Sequence, residues 1–391
     1  MSNRQRKSCG RGVDSVGQKT WAASIRDEQL VGATMINLTP KGKRLRSSLF
    51  SFAMSVTLAI CAVASLPALS RADENGISFW LPGLFGSLAA VPQQPGWALT
   101  VMNYYDSVGA SGAVAAEREI SIGRLNPTVN INLNVNLNAK IDVGLINPSY
   151  VFETPVFGGQ LTLGMMGIVG GNSTDLNGSL TLAAGPLAIE RQGSISQTTT
   201  GFGDLYPQAI IRWNNGVNNW MVYGTGDIPV GDYNSSNLAN IGIGHGAVDG
   251  GGGYTYFNPQ TGHEFSAVTG LTYNLINPST NYQSGVDWHL DWGASQFVSK
   301  QVFFGAVGYF YEQISPDSGC APQLCPFESG VIGIGPQMGV ILPLGQIQAY
   351  LNLKAYWEFD GHDRPSGWNT WLTLSFSPSA SSNARSAMLT K

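Results

Sequence analysis

The side chains best placed to do chemistry are Asp287, His289 and Asp291, which alternate along one stretch of the chain. A carboxylate beside an imidazole can serve general acid–base catalysis, and the same residue types can bind a metal. The rest of the sequence gives no support for catalysis, because no G-x-S-x-G nucleophile elbow occurs. The four histidines show no H-E-x-x-H or other compact metal spacing. We therefore expect no enzyme and no cofactor.

Phosphate ligands fit the sequence poorly as well. The glycine-rich run at 242–253 lacks the Lys-Ser/Thr pair and the following helix of a phosphate-binding loop. A flexible or closely packed strand end explains the run better. Residues 73–391 carry a net charge of −12, which would repel nucleic acid.

The element that positions the trio is a strand, because side chains at alternate positions share one face. The intervening residues are apolar, and the same period-two pattern recurs at 129–138 and 347–359. These segments reach roughly ten residues, the length of a tilted strand that crosses a bilayer, whereas strands of soluble domains average about 5–6. The pattern predicts membrane-spanning strands with their charged face turned away from lipid.

Composition excludes the main alternatives. Charged residues make up 12% of the 391 positions, about half the share in soluble globular proteins, which argues against two soluble domains. The mean hydropathy is near zero, too low for a bundle of apolar membrane helices. Glycine is abundant, with 49 residues. Few charges with finely alternating polarity favour an all-β transmembrane barrel.

Turns and loops support an antiparallel barrel. Short turns such as 214–216 and 343–345 alternate with longer polar loops, which are predicted at 170–202, 230–242, 277–285, 314–329 and 361–368. Bacterial barrels place short turns in the periplasm, and their strand number is even. We expect twelve strands, with fourteen as the alternative, from thirteen candidate segments. These are 97–105, 128–139, 143–154, 159–169, 203–213, 218–229, 243–257, 263–276, 286–298, 302–313, 330–342, 346–360 and 369–377.

The first 72 residues differ from the rest of the chain. A basic cluster precedes an apolar stretch at 49–66, and small residues follow, which is the order of a secretory signal. We expect residues 35–72 to be a signal peptide that is cut between Ala72 and Asp73. Residues 1–34 are then a non-native extension, with translation starting at Met35. A single membrane anchor is the alternative, since the stretch is near the lower length limit of a spanning helix.

Export leaves Cys320 and Cys325 as the cysteines of the mature chain. An even number of cysteines in an oxidising compartment predicts one disulfide. A metal site is the weaker alternative, because two cysteines lack nearby ligands to complete it.

Several motifs together resemble the outer-membrane family named for the meta-pathway of phenol degradation. The resemblance covers about residues 95–377 and lies in their order and spacing. The motifs are Gly201-Phe-Gly203-Asp204-Leu-Tyr206-Pro207-Gln208, Pro229-Val-Gly231-Asp232-Tyr233, Tyr273-Asn274 with Asn277-Pro278, Thr280, Tyr282 and Gly285, His289-x-Asp291, and Gly308-Tyr309-x-Tyr311-x-Gln313 leading to Asp317-Ser318-Gly319. The resemblance implies a β-barrel associated by name with the uptake of aromatic compounds. The cysteine pair and the residues after Phe376 depart from the family pattern.

The expected organisation is a barrel at 97–377 in the bacterial outer membrane, assembled there by the barrel-assembly machinery, with a polar tail at 378–391. An apolar segment at 73–96 precedes the barrel and could be a plug or lid through Phe79, Trp80 and Phe85. The candidate lumen and rim residues are Asp204, Asp232, Tyr233, Asp287, His289, Asp291, Lys354 and Glu358.

Two functions remain open at this stage. The first is a passive channel for small hydrophobic or aromatic solutes. The second is a structural or adhesive barrel with a plugged pore and partner-binding outer loops. For the rim residues, turn formation is a sufficient explanation without any solute site. The sequence does not determine the oligomeric state.

Overall fold

The computed structural model describes residues 78–111, 132–184, 187–319 and 328–379. The expected signal peptide, the Ala72–Asp73 cut, the Cys320–Cys325 disulfide and most of the polar tail lie outside these ranges. Among the described residues, no helix is long and apolar enough to span a membrane.

Within the described ranges, twelve antiparallel strands form a closed barrel, which confirms the prediction of twelve. The strands are β1 (Gly96–Ser111), β2 (Asn132–Val151), β3 (Gln160–Ala184), β4 (Leu187–Asn215), β5 (Asn218–Asp227), β6 (Ala247–Phe257), β7 (His263–Asn274), β8 (Val286–Phe297), β9 (Val302–Gln313), β10 (Gly330–Leu344), β11 (Ile347–His362) and β12 (Ser366–Pro378). Each strand pairs with its neighbours in sequence, and β12 closes the barrel on β1 from Leu99↔Phe376 to Gly109↔Ser366.

Three boundaries in the prediction were wrong. The candidates 128–139 and 143–154 are parts of one strand, β2, which reduces thirteen segments to twelve. The predicted loop at 170–202 lies largely in the long hairpin of β3 and β4, which pair as far as Ala184↔Leu187. The predicted loop at 361–368 shrinks to three residues between β11 and β12.

The outer surface has an apolar band between two pairs of aromatic rings. Trp97 packs edge-on against Tyr150 near the short-turn end, and Tyr105 packs against Trp368 toward the long-loop end. Between them, outward side chains such as Leu353 and Leu372 are more than 40% exposed. This arrangement matches the lipid-facing band and aromatic girdles of outer-membrane barrels. We call the long-loop end the outer end.

The interior is occupied by chain that precedes β1. Residues 78–91, here called the luminal segment, have neither helical nor strand structure. Their apolar side chains belong to the same buried cluster as Tyr206, Tyr223, Tyr309 and Trp371 of the barrel wall. The barrel therefore encloses this segment as part of its core.

Candidate functional site

The luminal segment lies inside the barrel, because its hydrogen-bond partners come from inward-facing side chains on six strands, which are β4, β6, β7, β8, β10 and β11. On one side, Arg212 of β4 donates through Nε to the carbonyl of Ala89 at 3.2 Å. On the other, Nζ of Lys354 on β11 donates to the carbonyls of Gly83, Leu84 and Phe85. A segment held from β4 and from β11 crosses the lumen.

Carboxylates on β7 and β8 hold the segment through its backbone N–H groups. The two oxygens of Asp291 accept from Gly83 at 2.9 Å and from Phe85 at 3.0 Å. Glu264 accepts from Leu88 at 2.9 Å. These charge-assisted bonds are stronger than bonds between neutral groups, so the wall fixes the path of the segment without covalent links.

Hydroxyl and amide groups complete the attachment at the middle of the segment. The hydroxyl oxygens of Ser87 and Ser295 are 2.6 Å apart, and Nε2 of Gln337 donates to both. Gly293 permits this close approach, because a Cβ there would lie 2.9 Å from the backbone nitrogen of Ser87.

The tip of the segment carries the aromatic residues that the sequence analysis named as a lid. Phe79 stacks on Tyr206 with ring centroids 5.3 Å apart, and Trp80 stacks on His289 at 3.5 Å. Phe85 packs against Trp80 and Tyr223. The rings form a continuous aromatic contact between the segment and β4, β5 and β8.

His289 joins this tip to the wall. Its Nε2 lies 2.9 Å from Oδ2 of Asp249, and the same oxygen accepts from the hydroxyl of Thr272 at 2.6 Å. The imidazole is fully buried. It therefore positions Trp80 in the structure, and the described residues offer no cluster of three or more ligands for a metal.

A small cavity lies beside the aromatic tip. Its volume is about 30 Å³, enough for a water molecule or two, whereas a benzene ring occupies an apolar cavity of roughly 150 Å³. The cavity is therefore too small for an aromatic solute while the tip stays in place. Its lining is mainly apolar and aromatic, and consists of Phe79, Trp80, Leu81, Leu84, Phe85, Met166, Tyr206, Gln208, Ile210, Tyr223, Gly224 and Thr225.

Nearer the outer end, Asp204 organises the loop between β5 and β6, residues 228–246. Its two oxygens accept from the N–H groups of Gly231 and Ile243, both at 2.7 Å. Asp232 accepts from the N–H of Phe202 at 2.9 Å, and the Tyr233 hydroxyl accepts from Nδ2 of Asn277 at 2.9 Å. Asp204 and Asp232 thus fasten the β5–β6 loop to β4, and Tyr233 joins it to the loop between β7 and β8.

Asp287 and Glu358 form hydrogen bonds between neighbouring parts of the barrel wall near the outer end. Asp287 accepts from Nδ2 of Asn274 at 2.9 Å, which links β8 to β7. Glu358 accepts from the Tyr309 hydroxyl and from the N–H of Gly367, both at 2.7 Å. The eight predicted lumen and rim residues therefore divide into groups at the luminal segment, the β5–β6 loop and the wall.

Five further polar residues face the lumen and were not among the predicted site residues, namely Arg212, Asp227, Asp249, Glu264 and Gln337. The alternation of inward and outward positions along each strand could have identified them, since a polar residue next to an outward apolar residue faces the lumen. The close packing expected for the glycine run is present, because a Cβ at Gly251 would lie 2.1 Å from the Thr269 carbonyl oxygen.

No curated protein matches the chain. Solved structures with a similar fold include an outer membrane channel from Pseudomonas putida F1, at 14% identity and a TM-score of 0.48, covering 73% of this chain and 96% of that one. A FadL homologue from Pseudomonas aeruginosa follows at 10% identity and a TM-score of 0.35, covering 72% and 90%.

A family model described as "Putative MetA-pathway of phenol degradation" matches residues 123–374, which is more than half of the chain and includes strands β2 to β11 and most of β12. The closed twelve-strand barrel and its apolar outer band place the protein in the bacterial outer membrane. The chain belongs to this family of outer-membrane β-barrel proteins.

Proposed function

We propose that the protein is a passive channel for small apolar or aromatic solutes and that the luminal segment is its gate. The observation that carries the proposal is the attachment of the segment to opposite walls by separate hydrogen bonds. A hydrogen bond to a charged group contributes about 1.5–3 kcal/mol net, so such contacts can be exchanged for water one at a time.

The aromatic tip supports the solute class. Phe79, Trp80 and Phe85 already pack against Tyr206 and Tyr223, so an aromatic solute that displaced a ring would make the same kind of contact. Ligand sites in proteins are mostly apolar with a few polar groups, which is the composition of this cavity lining. The family description, which refers to phenol degradation, agrees with such solutes.

The second candidate is a structural barrel with a permanently closed pore and outer loops that bind a partner. One observation favours it: the hairpin of β3 and β4 extends well beyond the outer aromatic girdle, with polar residues such as Ser173 and Thr198 paired across it. The two functions differ in whether the luminal segment can move.

A disulfide lock tests the gate. The Ser87 and Ser295 side chains meet at 2.6 Å, so Ser87→Cys with Ser295→Cys places two thiols within bonding reach. We expect the oxidised double variant to lose solute flux and single-channel conductance in planar bilayers, and a reductant to restore both.

The controls are the wild type and each single variant under the same oxidant and reductant. Equal flux in the oxidised and reduced double variant would show that the luminal segment is not the gate. Absence of conductance in every variant and both states would favour the structural barrel.

A further inference from the structure

Asp227, the last residue of β5, has an unusual environment for a carboxylate. It faces the lumen with 9% of its surface exposed, and neither side-chain oxygen has a hydrogen-bond partner. Among the described residues, no other carboxylate has both oxygens buried in this way. Leaving a buried acceptor unpaired is costly, and more so for a charged group.

Other carboxylates of the same lumen show that the barrel supplies donors where it needs them. Asp204 and Asp291 each accept two backbone N–H groups. Asp227 lies within electrostatic range of Asp204 and His245 yet hydrogen-bonds to neither. Its two free acceptor oxygens therefore serve no visible purpose in holding the fold.

The strand register places Asp227 beside two residues that line the aromatic cavity, Tyr206 and Thr225. Gln208 pairs with Thr225, and Leu205 forms a bridge with Ile228, so Tyr206 lies directly opposite Asp227. Thr225, which lines the cavity, is the preceding residue on the same inward face of β5. Phe79 covers Tyr206. Asp227, with its unpaired oxygens, thus lies next to the ring of Tyr206, which lines the cavity.

We propose that Asp227 accepts the hydrogen-bond donor of an aromatic solute whose ring replaces Phe79 on Tyr206. This inference rests on the proposed channel function and specifies its substrate class. Solutes with a ring hydroxyl or amino group satisfy Asp227, whereas unsubstituted rings leave it unpaired. Aromatic carboxylates are disfavoured, because their negative charge would be buried beside the carboxyl groups of Asp204 and Asp227.

The test measures solute binding in a variant that lacks the Phe79 ring, so that the face of Tyr206 is open to a solute. Phe79→Ala removes the ring that covers Tyr206, and calorimetric titration in lipid nanodiscs, corrected with empty nanodiscs, measures affinity for three probes. Phenol carries a donor, fluorobenzene has nearly the same size without one, and benzoate carries a negative charge. We expect phenol to bind at least tenfold more tightly than either of the others, because tenfold corresponds to about 1.4 kcal/mol, which is within the net contribution of one hydrogen bond.

Adding Asp227→Leu to Phe79→Ala is expected to abolish the preference for phenol and to leave fluorobenzene affinity within about twofold. Asp227→Asn keeps an acceptor of the same shape and is expected to retain part of the preference, which guards against a folding defect in the leucine variant. Asp175→Asn makes the same change at an exposed position on β3 and should alter nothing. Heat-modifiable migration on gels checks that each barrel is folded.

Equal affinity for phenol and fluorobenzene in the Phe79→Ala protein would overturn the inference. So would a phenol preference that survives both changes at Asp227. The disulfide lock stays independent of these results: a gated flux without phenol preference refutes only the role of Asp227, whereas absent flux refutes the channel itself.

Discussion

At the scale of single residues, Lys354 and Asp291 bind backbone groups of the luminal segment from two sides of the lumen. Lys354 donates to three successive carbonyl groups of the luminal segment, while Asp291 accepts from two of its N–H groups. Both side chains are almost fully buried. Their polar partners are therefore what makes these charges tolerable inside the barrel.

Lys354→Met tests this attachment. Methionine preserves most of the side-chain length but donates no hydrogen bond, so three carbonyl groups lose their partner and Asp291 loses a nearby cation. We expect the open probability in planar bilayers to rise several-fold, because the closed state alone is weakened. The matched control is Lys140→Met on β2, where the side chain is exposed. Unchanged gating in the Lys354 variant would contradict a holding role.

The alternation of apolar and polar residues in the sequence is enough to place four residues on an inward strand face, namely Asp287, His289, Asp291 and Lys354. It could not supply the luminal-segment partners of His289, Asp291 and Lys354, because that segment has no periodic pattern and lies far away along the chain. Asp291 is 208 residues from Gly83, for example. Contacts of this kind depend on barrel closure, which only the three-dimensional structure provides.

At the scale of strands, the prediction succeeded where lipid imposes a pattern and failed beyond the membrane. Strands in the apolar band alternate apolar and polar residues, whereas the outer parts of β3 and β4 have no lipid to face and read as a polar loop. The outer part of β2 also lies beyond the lipid, and there the apolar side chains face inward and the polar ones outward. Val135 and Leu137 are buried in a cluster with Leu238, whereas Asn136 and Asn138 are exposed.

This view predicts that the end of the β3–β4 hairpin is dispensable for assembly. Removing residues 179–192 joins Gly178 to Gly193 and keeps Asn177 paired with Ser194, and a Gly-Gly pair suits a two-residue hairpin turn. We expect a barrel with unchanged heat-modifiable migration and unchanged conductance. The packing of Leu176 and Ile195 under the β5–β6 loop is retained. A variant that fails to reach the membrane would show that the hairpin takes part in assembly.

At the scale of the whole molecule, the barrel separates two environments across a single layer of backbone. Leu353 is 43% exposed on the outer face, and the next residue, Lys354, is 3% exposed on the inner face. The low overall charge follows from this separation, since half of each spanning strand meets lipid and the charged residues collect in the lumen and loops.

Leu353→Arg tests whether the apolar band faces lipid along the middle of β11. A charge at the bilayer midplane costs about 2–4 kcal/mol in outer-membrane barrels and much less near the interface. We therefore expect the free energy of unfolding to fall by about that amount in urea titrations of the protein folded into vesicles. Asn138→Arg introduces the same charge on an outward position beyond the outer girdle and should change stability by less than about 0.5 kcal/mol. Equal losses in the two variants would mean that the band at Leu353 does not lie in the hydrocarbon, and the placement of the luminal segment across the membrane would fall with it.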